Sequence, residues 1–208
     1  MNILENDINI FAKPARIIVS GASGSGKTQI VVSLIKKYRD LFSEIIISGV
    51  SSFPIEISGN IQISEDIYDP FAYPKDNPKH KLIIYDDIQS EAVKSDIISN
   101  AFTKGRHRNI SIILILQNIF AQGSKSRNIS LNASHFILCR SRDEAQIRLL
   151  ATQIFGKEKA SSFIKAYRKY VVEKKYGHLL IDLRIDIPST LVIRTNIASE
   201  SDQRAIVL

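Results

Sequence analysis

The eight residues from Gly21 to Thr28 constrain the fold of this chain more than any other stretch. They read Gly-Ala-Ser-Gly-Ser-Gly-Lys-Thr and fit the pattern G-x-x-x-x-G-K-S/T at every position. A loop of this kind turns tightly so that its backbone N–H groups point at phosphate oxygens, and glycine permits that backbone. The apolar run 15–20 precedes it, and apolar residues recur at helical spacing from Ile30 to Phe42. The stretch therefore predicts a strand, a phosphate-binding loop and a helix within an α/β fold.

The loop also predicts roles for its own residues. We expect Lys27 to reach the β- and γ-phosphates of a nucleoside triphosphate and the Thr28 hydroxyl to bind Mg²⁺. The helix that follows would turn its positive N-terminal end toward the phosphates. The predicted nucleotide-binding residues are Gly21, Ala22, Ser23, Gly24, Ser25, Gly26, Lys27, Thr28 and Gln29.

A second apolar strand, 81–85, ends in two carboxylates, Asp86 and Asp87. In parallel α/β sheets such a strand end lies beside the phosphate-binding loop. We expect Asp86 to hold Mg²⁺ through water and Asp87 to polarise the attacking water. Many ATPases carry Glu at the second position, so Asp87 is one methylene shorter than usual. The alternative is that the two residues only end a strand and begin a turn.

Polar groups flank a third apolar strand, 110–116. Gln117 follows it, where a side chain would point into the nucleotide crevice and could sense the γ-phosphate; it could also simply terminate the strand. Arg106 and Arg108 precede it, and seven extended residues span about 23 Å, so neither arginine easily reaches the nucleotide of its own subunit. In a ring, one of the two arginines could act on the nucleotide of a neighbouring subunit, and Arg106 is the preferred candidate over Arg108. Alternatively, the arginines could contact DNA or lie in a solvated turn.

Positive charge is concentrated in the second half of the chain. Residues 1–103 hold 10 Lys and Arg against 13 Asp and Glu, whereas residues 104–208 hold 18 against 8. A polyanion such as nucleic acid would explain this asymmetry, and so would a solvated basic face. Residues 118–134 predict a polar loop in which Lys125 and Arg127 could contact a DNA backbone, although a plain surface loop fits equally well.

The remaining chain predicts a single domain, 1–208. It comprises a lead-in segment (1–14), a nucleotide-binding core (15–140) and a basic C-terminal part (141–208). Within these parts we expect a strand at 44–50, the second along the chain, a hairpin around Gly59, a fifth strand at 136–139 and two helices over 142–155 and 157–172. Strands at 178–184 and 191–194 would follow.

Composition excludes several classes of protein. The single cysteine, Cys139, lies in an apolar run, so we expect it to be a core residue. The four histidines do not have the spacing of metal ligands, which leaves Mg²⁺ as the expected metal. No basic signal region is visible, and the longest apolar run is far shorter than the roughly 20 residues that span a bilayer. We therefore expect a soluble intracellular protein that is not secreted.

Three further segments carry a family resemblance. Residues 102–111, which lead to Leu116-Gln117-Asn118, and residues 122–133 and 176–183 resemble genome-packaging ATPases of the FtsK/HerA superfamily. The nearest similarity is to those of Polinton-type transposons, adintoviruses, virophages and large eukaryotic DNA viruses. The resemblance runs from about residue 16 to 196.

This resemblance implies a RecA-like (ASCE) three-layer P-loop fold with a mostly parallel sheet of strand order 5-1-4-3-2. It also implies a homo-oligomeric ring of about five or six subunits. Such a ring would hydrolyse ATP to package double-stranded DNA into a preformed capsid. It would act at the site of virion assembly in the infected cell, in contact with capsid vertex proteins and in some cases with the virion. Lys27, Asp86, Asp87, Gln117 and Arg106 would serve as stated above.

Other functions remain open on the sequence. The protein could be a cellular or mobile-element DNA pump or helicase of the same superfamily, and only the family resemblance favours a packaging motor over these. A small-molecule kinase would need a lid with several arginines, for which the Pro-rich stretch 51–80 is poorly suited. A GTP switch is disfavoured because the chain has no Asn-Lys-x-Asp segment.

Overall fold

The structure, a computed structural model, describes residues 2–3, 8–72, 79–86, 96–120, 124–199 and 202–208. Four α-helices are described: α1 (Lys27–Tyr38), α2 (Asp96–Lys104), α3 (Ser124–Asn132) and α4 (Glu144–Tyr167). The strands are β1 (Asn2–Ile3), β2 (Arg16–Ser20), β3 (Glu44–Ser48), β4 (Ile61–Ser64), β5 (Lys81–Tyr85), β6 (Ile110–Leu116), β7 (His135–Leu138), β8 (Leu179–Asp182), β9 (Ile193–Thr195) and β10 (Arg204–Ile206).

The described strands form one sheet of ten, in the order β1-β10-β9-β8-β7-β2-β6-β5-β3-β4. The six strands from β7 to β4 are all parallel, whereas β8, β9, β10 and β1 are joined to it by antiparallel pairs. Five of the strands predicted from the sequence are neighbours, in the order β7, β2, β6, β5 and β3. The predicted α/β fold with a mostly parallel central sheet is confirmed.

Helices cover both faces of the sheet, which makes the fold three-layered. Alternate residues of a strand point to opposite faces, so Ile17 and Val19 join one apolar core and Ile18 the other. Helix α1 packs on the first face, and α2 and α4 pack on the second. Because β2, β3, β5, β6 and β7 are buried on both faces, their sequences are continuous apolar runs and not alternating ones.

The hairpin predicted around Gly59 is wrong. Residues 55–57 form no strand, and β4 pairs in parallel with β3. The chain is aligned with β3 at Asn60, whose carbonyl accepts from the Ile45 N–H at 2.8 Å and whose side-chain amide donates to the Phe42 carbonyl at 2.6 Å. Alternation in the sequence identified a strand here but not its partner.

One other expectation needs correction. The predicted loop 118–134 contains helix α3, which packs beside α2 with Ile129 in the core. The two predicted C-terminal helices are confirmed: the segment α4 is broken at Gly156, whose backbone is not helical (φ 78°, ψ 166°), and its second helix continues into a π-helical turn, Arg168–Val172. The predicted strands at 178–184 and 191–194 correspond to β8 and β9. The lead-in segment contributes buried Ile10 and Phe11.

A buried ionic cluster connects β7, β8 and β9. The Asp182 carboxylate accepts hydrogen bonds from Arg194 and, at 2.7 Å, from Arg184, and His135 Nε2 lies 3.4 Å from it. Burial raises the pKa of Asp182, but the nearby His135 and Arg184 side chains outweigh burial and hold that pKa well below its usual value. Burial also lowers the pKa of His135, which is therefore a neutral partner.

Candidate nucleotide-binding site

The loop between β2 and α1 has the backbone that its glycines predict. Gly24 and Gly26 adopt φ values of 74° and 95°, a left-handed region that side chains disfavour. The Ala22 N–H donates to the Arg140 carbonyl at 2.8 Å, which ties the loop to the segment after β7. Lys27 Nζ lies back on the loop and donates to the carbonyls of Gly21 at 2.8 Å and Ala22 at 2.9 Å.

A cavity of about 450 Å³ opens in front of this loop. It brings together residues that are far apart in the sequence: Lys27 and Thr28 from the start of α1, Asp86 after β5, and Gln117 after β6. Lys27, Thr28 and Asp86 are half-buried, and Gln117 is exposed. The other described lining residues are Ser23, Gly24, Gly26, Gln29, Val50, Ile115, Leu116 and Tyr176.

Strand pairing explains why these groups converge. Strands β2, β6 and β5 are neighbours and parallel, so their carboxyl ends lie at one edge of the sheet. Ser20, the last residue of β2, pairs with Leu116, and Gln117 follows directly. The Asp86 N–H donates to the Ser48 carbonyl at 3.1 Å, which extends the pairing of β5 with β3 by one residue. The edge thus carries an amine, a hydroxyl, a carboxylate and an amide around one cavity.

The remaining predicted residues lie elsewhere. Asp87 lies outside the described residues, as does the side chain of Lys125. Arg127 is exposed on α3. Arg106 is exposed in the 3₁₀ turn Gly105–Arg108, at the opposite end of β6 from Gln117. Arg108 is half-buried, with its guanidinium 4.7 Å from the Phe71 ring centre.

Two buried groups support the loop from behind. The Tyr167 hydroxyl of α4 donates to the Cys139 carbonyl at 3.0 Å and accepts from the Ser141 N–H at 2.8 Å. Burial raises the pKa of Tyr167 to about 12 and that of the Cys139 thiol to about 12. Cys139 is therefore a neutral core residue, as predicted, and not a nucleophile. The hydroxyl holds residues 139–141, to which the loop is bonded at Arg140.

Sequence reasoning missed Tyr176 as a member of the site. It entered only as part of a segment that carries the family resemblance. In the structure its ring packs on Gly26, where an added Cβ would lie 3.0 Å from Tyr176 Cδ1, and it lines the cavity. The Tyr-Gly pair just before a strand marked a turn, but nothing in the spacing indicated which edge of the sheet that turn would occupy.

Comparisons with known proteins agree with this geometry. Residues 60–182, more than half of the chain, match the family described as Poxvirus A32 protein. The chain is 31% identical over 129 residues to the DNA packaging protein OPG160 of Monkeypox virus, covering 52% of this chain and 43% of that protein. It is equally similar to OPG160 of Vaccinia virus (strain Copenhagen), of which 48% is covered. The matches thus span less than half the length of these relatives.

Solved structures share the fold. The genome packaging NTPase B204 from Sulfolobus turreted icosahedral virus 2, in complex with ATP-gammaS, superposes with a TM-score of 0.61 at 17% identity and covers 88% of this chain and 96% of that one. The same protein in complex with AMPPCP gives a TM-score of 0.55 at 18% identity, with 85% and 94% covered. Among the described residues, no helix combines the length and apolar character needed to cross a membrane.

Proposed function

Because the chain belongs to the Poxvirus A32 protein family, we propose that it is an ATPase that drives double-stranded DNA into a viral capsid. The observation that carries the proposal is the single cavity that unites Lys27, Thr28, Asp86 and Gln117. Relatives named DNA packaging proteins, and a fold shared with a packaging NTPase that binds ATP analogues, support the same conclusion.

The loop would bind the triphosphate through its backbone N–H groups and the N-terminal end of α1. Lys27 would exchange its hydrogen bonds to the Gly21 and Ala22 carbonyls for phosphate oxygens. The Thr28 hydroxyl and the Asp86 carboxylate offer the oxygen ligands that Mg²⁺ prefers, and both line the cavity. When bound, Mg²⁺ would neutralise charge that develops on the β- and γ-phosphates.

Hydrolysis requires a water in line with the γ-phosphorus. Gln117 would orient that water and contact the γ-phosphate, and Asp87 would accept its proton. The new bond joins the water oxygen to phosphorus, and the bond from phosphorus to the β,γ-bridging oxygen breaks, which yields ADP and phosphate.

A homo-oligomeric ring would complete the site. Arg106 is exposed and lies at the far end of β6 from the cavity, so it would act on the nucleotide of a neighbouring subunit. Arg127, exposed on α3, and Lys125 would contact the DNA backbone within the ring. The ring would dock on capsid vertex proteins in the infected cell, where virions assemble.

The decisive measurement is ATP hydrolysis with and without double-stranded DNA at two salt concentrations, with Lys27→Ala as the blank. We expect DNA to stimulate hydrolysis and the stimulation to fade as salt rises, because phosphate contacts release counterions. The proposed ATPase activity would be refuted if the wild-type protein hydrolysed no more ATP than the Lys27→Ala variant. Hydrolysis that ignores DNA, even with capsid proteins present, would favour a small-molecule kinase instead.

The trans role of Arg106 has its own test. Arg106→Ala should bind ATP normally but lose turnover, and mixing it with Lys27→Ala subunits should restore part of the activity, because each variant supplies what the other lacks. Arg148→Ala, which removes an arginine whose side chain is 51% exposed on α4, is the matched control. Normal hydrolysis by Arg106→Ala would assign the role to another residue, with Arg108 the next candidate.

A further inference from the structure

Strand direction places the turn 173–178 over the phosphate-binding loop. Strand β8 is antiparallel to β7, and its first residue, Leu179, pairs with Leu138, the last residue of β7. Leu138 in turn pairs with Ser20, after which the phosphate-binding loop begins. The residues just before β8 therefore lie at the same edge of the sheet as the cavity. A parallel β8 would have put them at the opposite edge.

Tyr176 is the residue of this turn that reaches the cavity. It has a left-handed backbone with φ 57°, which is rare for a residue with a large side chain. The edge of its ring contacts Gly26, and 47% of the residue remains exposed. Among the described residues that line the cavity, Tyr176 is the only aromatic one.

The surrounding residues hold this unfavourable conformation in place. Gly177 lies so close to the π-helical turn that an added Cβ would be 2.3 Å from the Tyr170 carbonyl oxygen. Burial lowers the pKa of His178 to about 4, so the ring is neutral; it hydrogen-bonds to the backbone of Tyr176, and its Nε2 accepts from the Ile197 N–H at 3.4 Å. Strained backbone of this kind persists where the surroundings over-determine it, and such places are often ligand sites.

We propose that the Tyr176 ring is the platform on which the base of the bound nucleotide stacks. This inference rests on the proposed function, because it requires the triphosphate to occupy the loop. With the phosphates on the backbone N–H groups of residues 24–28, the nucleoside must leave the cavity past the loop, and Tyr176 borders that loop at Gly26. An aromatic ring contacts the face of a base and not its hydrogen-bonding edge, so it accepts adenine and guanine alike.

The test separates the base from the phosphates. Binding of Mg-ATP, Mg-GTP and Mg-tripolyphosphate is measured by calorimetry for the wild type, Tyr176→Ala and Tyr176→Phe. We expect Tyr176→Ala to weaken ATP and GTP about tenfold or more and to leave tripolyphosphate unchanged. Tyr176→Phe keeps the ring and should keep the affinity. Leu149→Ala is the control, since Leu149 is 49% exposed and lies on α4.

Two results would overturn the inference. If Tyr176→Ala weakens ATP and tripolyphosphate equally, the ring only supports the loop at Gly26. If it weakens neither, the base lies elsewhere. Lys27→Ala distinguishes this failure from failure of the proposed function, because it should lose all three ligands whatever Tyr176 does. A wild-type protein that binds none of the three would refute the proposed function itself.

Discussion

Replacing Asp182 by asparagine tests how strongly the buried ionic cluster stabilises the fold. Asparagine keeps the size of the side chain but removes the negative charge that Arg194 and Arg184 share. The Arg194 side chain is 0% exposed, so its cation cannot turn to water. Removing one partner of a buried ion pair costs about 3–5 kcal/mol, because an uncompensated charge remains in the interior.

The assay is urea unfolding followed by circular dichroism, with the free energy of unfolding taken from linear extrapolation. Asp186→Asn is the matched control. Asp186 pairs with Lys13 at 2.8 Å, but the two side chains are 56% and 70% exposed, so its replacement should leave the unfolding transition close to that of the wild type. The reasoning is refuted if Asp182→Asn unfolds within about 1 kcal/mol of the wild type.

Three further outcomes follow from contacts described above. Folding lowers the pKa of Asp182, so the charged carboxylate stabilises the fold fully at pH values above the ordinary carboxyl pKa of about 3.9. This stabilisation is lost as the pH falls below that value. The urea midpoints of the wild type and of Asp182→Asn should therefore converge in acid. Tyr167→Phe removes the partner of two backbone groups and should lower the free energy of unfolding by about 1–3 kcal/mol in the same assay. Gly21→Ala places a Cβ 2.8 Å from Cys139 Cβ, which should lower the free energy of unfolding by about 1–3 kcal/mol and weaken ATP binding measured by calorimetry. Unchanged affinity would show that the loop can shift.

The parts of the site that could be predicted depend on local patterns and on one rule of parallel sheets. The glycine-rich pattern predicted a strand, a tight loop and a helix, and the structure has all three in that order. Asp86 and Gln117 each follow an apolar run, and the carboxyl ends of parallel strands share an edge, so their convergence required no knowledge of the partner strands.

The parts that could not be predicted depend on pairing between distant segments. Ile61 and Ile63 alternate as a hairpin strand would, yet β4 joins the parallel side of the sheet, a choice that period-two patterning does not encode. Tyr176 reaches the cavity only because β8 reverses direction against β7. Helix α3 is composed mostly of polar residues that are typical of loops, so its sequence did not predict a helix. The burial of Ile129 in the core beside α2 outweighs this weak local preference.

The contacts of Tyr167 connect α4 mechanically to the phosphate-binding loop. From α4, two hydrogen bonds reach residues 139–141, and one more, from Ala22 to Arg140, reaches the phosphate-binding loop. Each bond is 2.8–3.0 Å long, and a hydrogen bond of this kind is lost once its heavy atoms separate by about half an ångström more. The Tyr167 end of α4 therefore resists larger displacements of the phosphate-binding loop. The linkage starts beyond the break in α4 at Gly156, and the ion pair between Arg168 and Glu144, 2.7 Å long, ties the two sides of that break together.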